Sequence, residues 1–153
     1  MPEDQSNDAK NTASIAASQS LILVVEDEPA IRTIVARKLE DAGWRVMSAP
    51  DGATGLRIAQ AEQPLLIITD YEMPLLDGIS MARSLFAGPA TSGIPLILLT
   101  ARGHRITAAD LEATNVVNVM MKPFSMRQLV ALATEHSLVA LSSKGSLGAR
   151  NAA

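Results

Sequence analysis

Cysteine is absent from the chain, which removes disulfides and thiolate metal sites and suits a reducing compartment. Aromatic residues make up only 3%, so a core must be built from Leu, Ile, Val, Ala and Met. Positive charge is not in excess: a net charge of -3 gives no electrostatic footprint for nucleic acid or for an anionic membrane. No apolar run approaches the length of a membrane span. The amino terminus, MPEDQSNDAKNTASIAASQS, has neither the basic nor the apolar stretch of a secretory signal. These absences lead to the expectation of a soluble, cytoplasmic protein that contacts neither membrane nor nucleic acid directly.

What is present is enough for one domain. Of the 153 residues, 48% are hydrophobic, which excludes wholesale disorder and allows a sizeable core. Residues 1–19 are polar and small without a helical or strand period, and read as a flexible tail; residues 142–153 read the same way. Between them, residues 20–141 form a body of single-domain size.

That body alternates strand and helix signals. Leu21 to Val25 is a continuous apolar run, as a strand buried on both faces requires. Pro29 suits a first helical turn, Ile31, Ile34, Val35, Leu39 and Ala42 fall on one stripe, and Gly43 fits a left-handed helix end. A short second strand spans Arg45 to Ala49, and Asp51 is placed to cap a helix with Leu56 and Ala59 inward. A third strand, Leu65 to Thr69, is followed by a helix from about Gly78 with Ile79, Ala82, Leu85 and Phe86 inward. The fourth strand covers Ile94 to Leu99, a short helix is expected near Thr107 to Thr114, and a fifth strand runs from Val116 to Met121. Ser125 and Gln128 match a capping box for the last helix, with Phe124 and Leu129 as its hydrophobic staple. Five strands alternating with helices imply an α/β fold: a doubly wound parallel sheet with its site at the carboxyl ends of the strands.

The polar residues at those ends are informative. Glu26 and Asp27 follow the first strand in LILVVEDEP, Asp70 follows the third in LLIITDYEMPLLDG, Thr100 ends the fourth in IPLILLTA, and Lys122 ends the fifth in VMMKPF. Singly, each has a plain structural explanation: a cap, a solvated acid pair, a polar strand end, a surface lysine. Together, three acids, a hydroxyl and an amine at adjacent strand ends point to phosphoryl transfer to an aspartate, assisted by a divalent metal.

In these four motifs, in this order, the chain resembles the receiver domain of bacterial response regulators, close to the chemotaxis regulators. The resemblance covers roughly residues 20–140. It implies a flavodoxin-like five-stranded sheet in the order 2-1-3-4-5, with Asp70 as phospho-acceptor. A carboxylate of ordinary pKa, about 4, is ionised at neutral pH and needs no general base to attack phosphorus. Its obstacle is repulsion from an anionic donor, which Mg²⁺ on hard oxygen ligands relieves. The implied ligands are Asp27, Glu26 directly or through water, Asp70, and the main-chain carbonyl of Glu72. Lys122 would pair with the acceptor and then with the phosphoryl oxygens, Thr100 would donate its hydroxyl, and the Lys122–Pro123 bond would be cis. The phosphoryl group would come from a histidine kinase or histidine phosphotransfer protein, and its arrival would switch binding of a downstream protein of unknown identity. Self-phosphorylation and autodephosphorylation would be the only chemistry.

The chain departs from this pattern at Val119, where receivers usually carry an aromatic residue that relays the switch, and at Asn115, where they usually carry Gly and where Asn is expected to serve as the left-handed end of the fourth helix. Glu72 and Arg102 occupy positions expected to face each other over the site and tune phosphate lifetime. Arg102, His104 and Arg105 otherwise read as a solvated loop, Met120 and Met121 as strand filler, and His136 as a helix residue without a relay role. Three other assignments compete: a pseudo-receiver without phosphorylation, a receiver cut from a larger regulator or hybrid kinase, and an aspartate-nucleophile hydrolase of the haloacid dehalogenase type. The pseudo-receiver is disfavoured by the intact acceptor, acids and lysine. The hydrolase is disfavoured because its nucleophile belongs in a DxD after the first strand, where this chain has EDE.

Overall fold

The computed structural model describes residues 20–101 and 104–151. The expected tail at 1–19 and the expected role of Arg102 lie outside those residues. Strand β1 (Leu21–Val25) leads through helix α1 (Pro29–Asp41) to β2 (Arg45–Ala49). Helix α2 (Gly52–Glu62), strand β3 (Leu66–Asp70) and helix α3 (Gly78–Ala87) follow, then β4 (Leu96–Thr100), β5 (Val116–Met121) and helix α4 (Met126–Asn151). The strands form one parallel sheet in the order β2-β1-β3-β4-β5, so the chain order reverses between β1 and β3. Pairing β1 with both β2 and β3 puts Leu23 opposite Met47 on one side and Ile67 on the other.

Side chains alternate along each strand, so a strand buried on both faces must be apolar at every position. In β1, Leu23 and Val25 join Ile67, Leu98, Met81 and Leu85 beneath α2 and α3. Ile22 and Val24 join Ile68, Leu99, Leu39 and Leu129 beneath α1 and α4. Two cores, one on each face, hold the sheet between helix layers and fix its register, because a one-residue slip would exchange the two sets.

The local signals act as their chemistry dictates. Gly43 adopts φ +100° after α1. Asp51 accepts a 2.7 Å bond from the Thr54 amide, and Asp77 does the same for Ser80. Ser125 Oγ accepts from the Gln128 amide at 3.3 Å, while Phe124 and fully buried Leu129 pack in one core. The Lys122–Pro123 bond is cis.

Five details differ from expectation. Strands β3 and β4 extend to Asp70 and Thr100, so both residues belong to the sheet. Ile34 and Phe86 are 47% and 41% exposed, because each is turned one residue, about 100°, from the buried Val35 and Leu85. Residues 107–114 form consecutive turns closed by bonds from Asp110 N to Thr107 O and Leu111 N to Ala108 O. There the side chains of Thr107 and Asp110 bond each other's main-chain amides, offering the backbone an alternative to a helix. The left-handed residue closing this segment is Ala113, at φ +55°, and not Asn115. Helix α4 continues through the expected boundary at 141 to Asn151.

Candidate phosphoryl-acceptor site

Parallel strands all end on the same side, so β1, β3, β4 and β5 bring their carboxyl ends to one rim. Main-chain bonds continue past the strands and fix those ends: Tyr71 N donates to Leu99 O at 2.7 Å, Lys122 N to Thr100 O at 2.8 Å, and Glu26 N to Ala49 O at 3.1 Å. Arg32 Nη1 donates to the Glu26 carbonyl at 2.9 Å and anchors the first loop from below. The loop after β3 returns sharply. Gly78 N bonds the Tyr71 carbonyl, and Leu76 N bonds the Pro74 carbonyl around Leu75, which sits at φ +72° and is fully exposed. A γ-turn centred on a left-handed Leu is strained. Nothing in the sequence announces it, since Leu is not a residue chosen for positive φ.

The rim brings together the side chains of five of the six expected site residues. Asp70 and Glu26 are buried, at 5% and 1% exposure, while Asp27 is exposed. One carboxylate oxygen from each of the three lies within 4.8 Å of the others. Lys122 Nζ stands 3.3 Å from Asp70 Oδ1 and 3.4 Å from Glu26 Oε1. Thr100, 1% exposed, carries a buried hydroxyl without a hydrogen-bond partner, and Glu26 Oε2 is likewise buried and unpartnered. The sixth, Glu72, was expected to contribute its main-chain carbonyl; its exposed side chain turns to His104, 3.5 Å away.

Three carboxylates against one ammonium leave the rim rich in negative charge. Burial raises the Glu26 carboxyl above its ordinary range, and repulsion from Asp70 adds to this against the pull of Lys122. Burial also raises Asp70, with Lys122 pulling the other way and Asp27 adding to the rise. Burial lowers the Lys122 ammonium's affinity for its proton, but Asp70 and Glu26 outweigh that and leave it raised. Converging hard oxygens, a buried carboxylate oxygen with no donor, and uncompensated charge together fit a small divalent cation such as Mg²⁺.

Two residues of the rim were not singled out as functional. Tyr71 and His104 place their rings 4.5 Å apart at 49°, and His104 also faces Glu72. His104 read as part of a solvated loop because its neighbours are polar; only the fold puts the β4 loop beside the β3 loop.

Residues 22–134 match the family model of the response regulator receiver domain. The probable transcriptional regulator ycf27 of Cyanophora paradoxa is 42% identical over 113 residues, covering 72% of this chain and 45% of the relative. The probable chemotaxis protein CheY of Rhizobium etli is 30% identical over 116 residues, covering 75% of this chain and 90% of that protein. The chain therefore spans less than half the length of the transcriptional regulator it matches. Among solved structures, chemotaxis response regulator CheY4 of Vibrio cholerae superposes with a TM-score of 0.70 at 26% identity, covering 77% of this chain and 98% of that one. The receiver domain of sensor histidine kinase PA1611 from Pseudomonas aeruginosa, which has a magnesium ion coordinated in its active-site cleft, gives 0.69 at 28% identity, covering 77% and 97%.

Proposed function

The chain belongs to the response regulator receiver family, a family of phosphorelay signalling proteins, and from that premise we propose that it accepts a phosphoryl group on Asp70 with the help of Mg²⁺. The observation that carries this reading is the buried Asp70 carboxylate, 3.3 Å from Lys122 and among the converging oxygens of Glu26 and Asp27.

Each residue has a separable task. Asp70 attacks phosphorus with a carboxylate oxygen; the bond from phosphorus to the donor breaks, and its electron pair leaves with the donor. Glu26, Asp27, Asp70 and the Glu72 carbonyl would hold Mg²⁺, which supplies positive charge between the acid cluster and the anionic phosphoryl group. Lys122 is shared between Glu26 and Asp70 before transfer and can follow the negative charge as it moves onto the phosphoryl oxygens. Thr100 offers a hydroxyl with no competing partner in the protein, ready to donate to a new acceptor. The donor is a histidine kinase or histidine phosphotransfer protein, and the phosphorylated form switches binding of a downstream partner in the cytoplasm. With residues 107–114 in turns and no aromatic at Val119, that switch is read through the β4 loop and the exposed side of β5.

Incubation with acetyl phosphate and Mg²⁺ followed by intact-mass measurement tests the reading. One phosphoryl addition is expected, lost with EDTA and in Asp70→Asn. A wild-type protein that gains no mass while its fold is intact belongs to the pseudo-receivers instead. A second reading concerns the whole protein: coverage of only 45% of the Cyanophora transcriptional regulator favours this chain acting as the receiver part of a longer regulator, which could reach nucleic acid through a further domain.

A further inference from the structure

The two loops that flank the acceptor are joined by one side chain. His104 lies just after β4, its amide donating to the Ala101 carbonyl at 3.1 Å. Its ring lies 4.5 Å from that of Tyr71, the residue next to Asp70, and its Nδ1 lies 3.5 Å from Glu72 Oε1. The histidine side chain is only 35% exposed, against 61% for Glu72, so the contact covers one loop with the other. Tyr71 is in turn fixed by main-chain bonds through both its amide, to Leu99, and its carbonyl, from Gly78. The tilted ring contact therefore rests on a residue held by two main-chain bonds.

We propose that His104 is a positioning residue: it clasps the β3 loop to the β4 loop, holds Glu72 aside, and so sets how long a phosphoryl group survives on Asp70. This rests on Asp70 being the acceptor. Loss of the group is hydrolysis, in which a water oxygen bonds to phosphorus and the bond from phosphorus to the Asp70 oxygen breaks. The electron pair returns to the carboxylate, and the water's proton leaves with the phosphate or to solvent. The water must come from the rim, since the other sides of Asp70 are packed core. A closed clasp narrows that approach. It also keeps the Glu72 side chain beside His104, 3.5 Å away.

The test separates the clasp from the acceptor chemistry. Wild type, His104→Ala and His104→Phe are loaded with acetyl phosphate and Mg²⁺, the donor is removed, and loss of the added mass is followed at fixed pH. First-order loss does not depend on how much was loaded. His104→Ala is expected to lose the group several-fold faster, and His104→Phe, which keeps a ring against Tyr71, to fall closer to wild type. A structural role alone would lower the melting temperature without separating Ala from Phe in this decay. In the unphosphorylated proteins, the ring resonances of Tyr71, the only tyrosine, should shift in His104→Ala. Equal decay of His104→Ala and wild type overturns the proposal. If wild type takes up no phosphoryl group, the acceptor assignment fails and the lifetime claim with it. An unshifted Tyr71 with normal loading rejects the clasp alone.

Discussion

At the scale of single residues, burial decides the character of the acid pair. Desolvation raises Glu26 and Asp70, and one lysine cannot offset it for both. A carboxyl whose folded pKa is raised contributes most to stability below the ordinary carboxylate value of about 4, and that contribution is lost as pH rises through the folded value. At neutral pH the ionised Asp70 is thus a cost to the metal-free fold, as expected of a residue kept for chemistry. Asp70→Asn should therefore unfold at a higher temperature than wild type in EDTA at neutral pH, by about 3 °C or roughly 1 kcal/mol. The gain should shrink on acidification, since both proteins then carry a neutral side chain. Thermal melts across the acid range check this, and a variant that melts lower throughout contradicts it. Lys122 has the opposite window. Its raised pKa gives stability that is full below the ordinary lysine value, about 10.4, and is lost as pH rises through the folded value.

Elements place these residues through contacts that tolerate little change. Gly78 opens α3, and a Cβ built there would collide with the Asp70 carbonyl oxygen and come within 2.9 Å of Leu98 Cδ1. The close approach lets the β3 loop turn back directly beneath the acceptor, and main-chain atoms cannot give way as a flexible side chain could. Gly78→Ala should cost about 1–3 kcal/mol by overpacking and, because the displaced atoms belong to Asp70, slow phosphoryl uptake as well. Chemical denaturation together with the acetyl phosphate assay checks both; a stable variant with wild-type uptake would show that β3 can yield. The edge strand behaves differently. With residues 107–114 in turns, Val117, Val119 and Met121 are exposed by 44%, 37% and 58%. The alternation along β5 is visible in the chain, but which of its faces lacks cover is not.

For the whole molecule, ligand binding and folding are linked through the rim. A cation that binds only the assembled cluster stabilises the fold by RT ln(1 + [L]/Kd), about 1.4 kcal/mol at tenfold its Kd. Mg²⁺ should accordingly raise the melting temperature of wild type and do so far less in Asp27→Asn, which removes an exposed carboxylate of the cluster without opening a cavity. Equal Mg²⁺ shifts in the two proteins would remove Asp27 from the ligand set. Among the described residues, no helix is long and apolar enough to cross a membrane. The sequence by itself determined the alternation of elements, the sheet order through its family resemblance, and the residues at the strand ends. Those features follow from periodicity, caps and chemistry that neighbouring positions carry. Tertiary structure alone decided what distant segments do to one another. It put Lys122 between Glu26 and Asp70, left the Thr100 hydroxyl unpartnered, turned Ile34 and Phe86 outward, and set His104 against Tyr71 and Glu72. Local patterns report the face a residue prefers, whereas distances across strand ends exist only once the sheet has fixed its register.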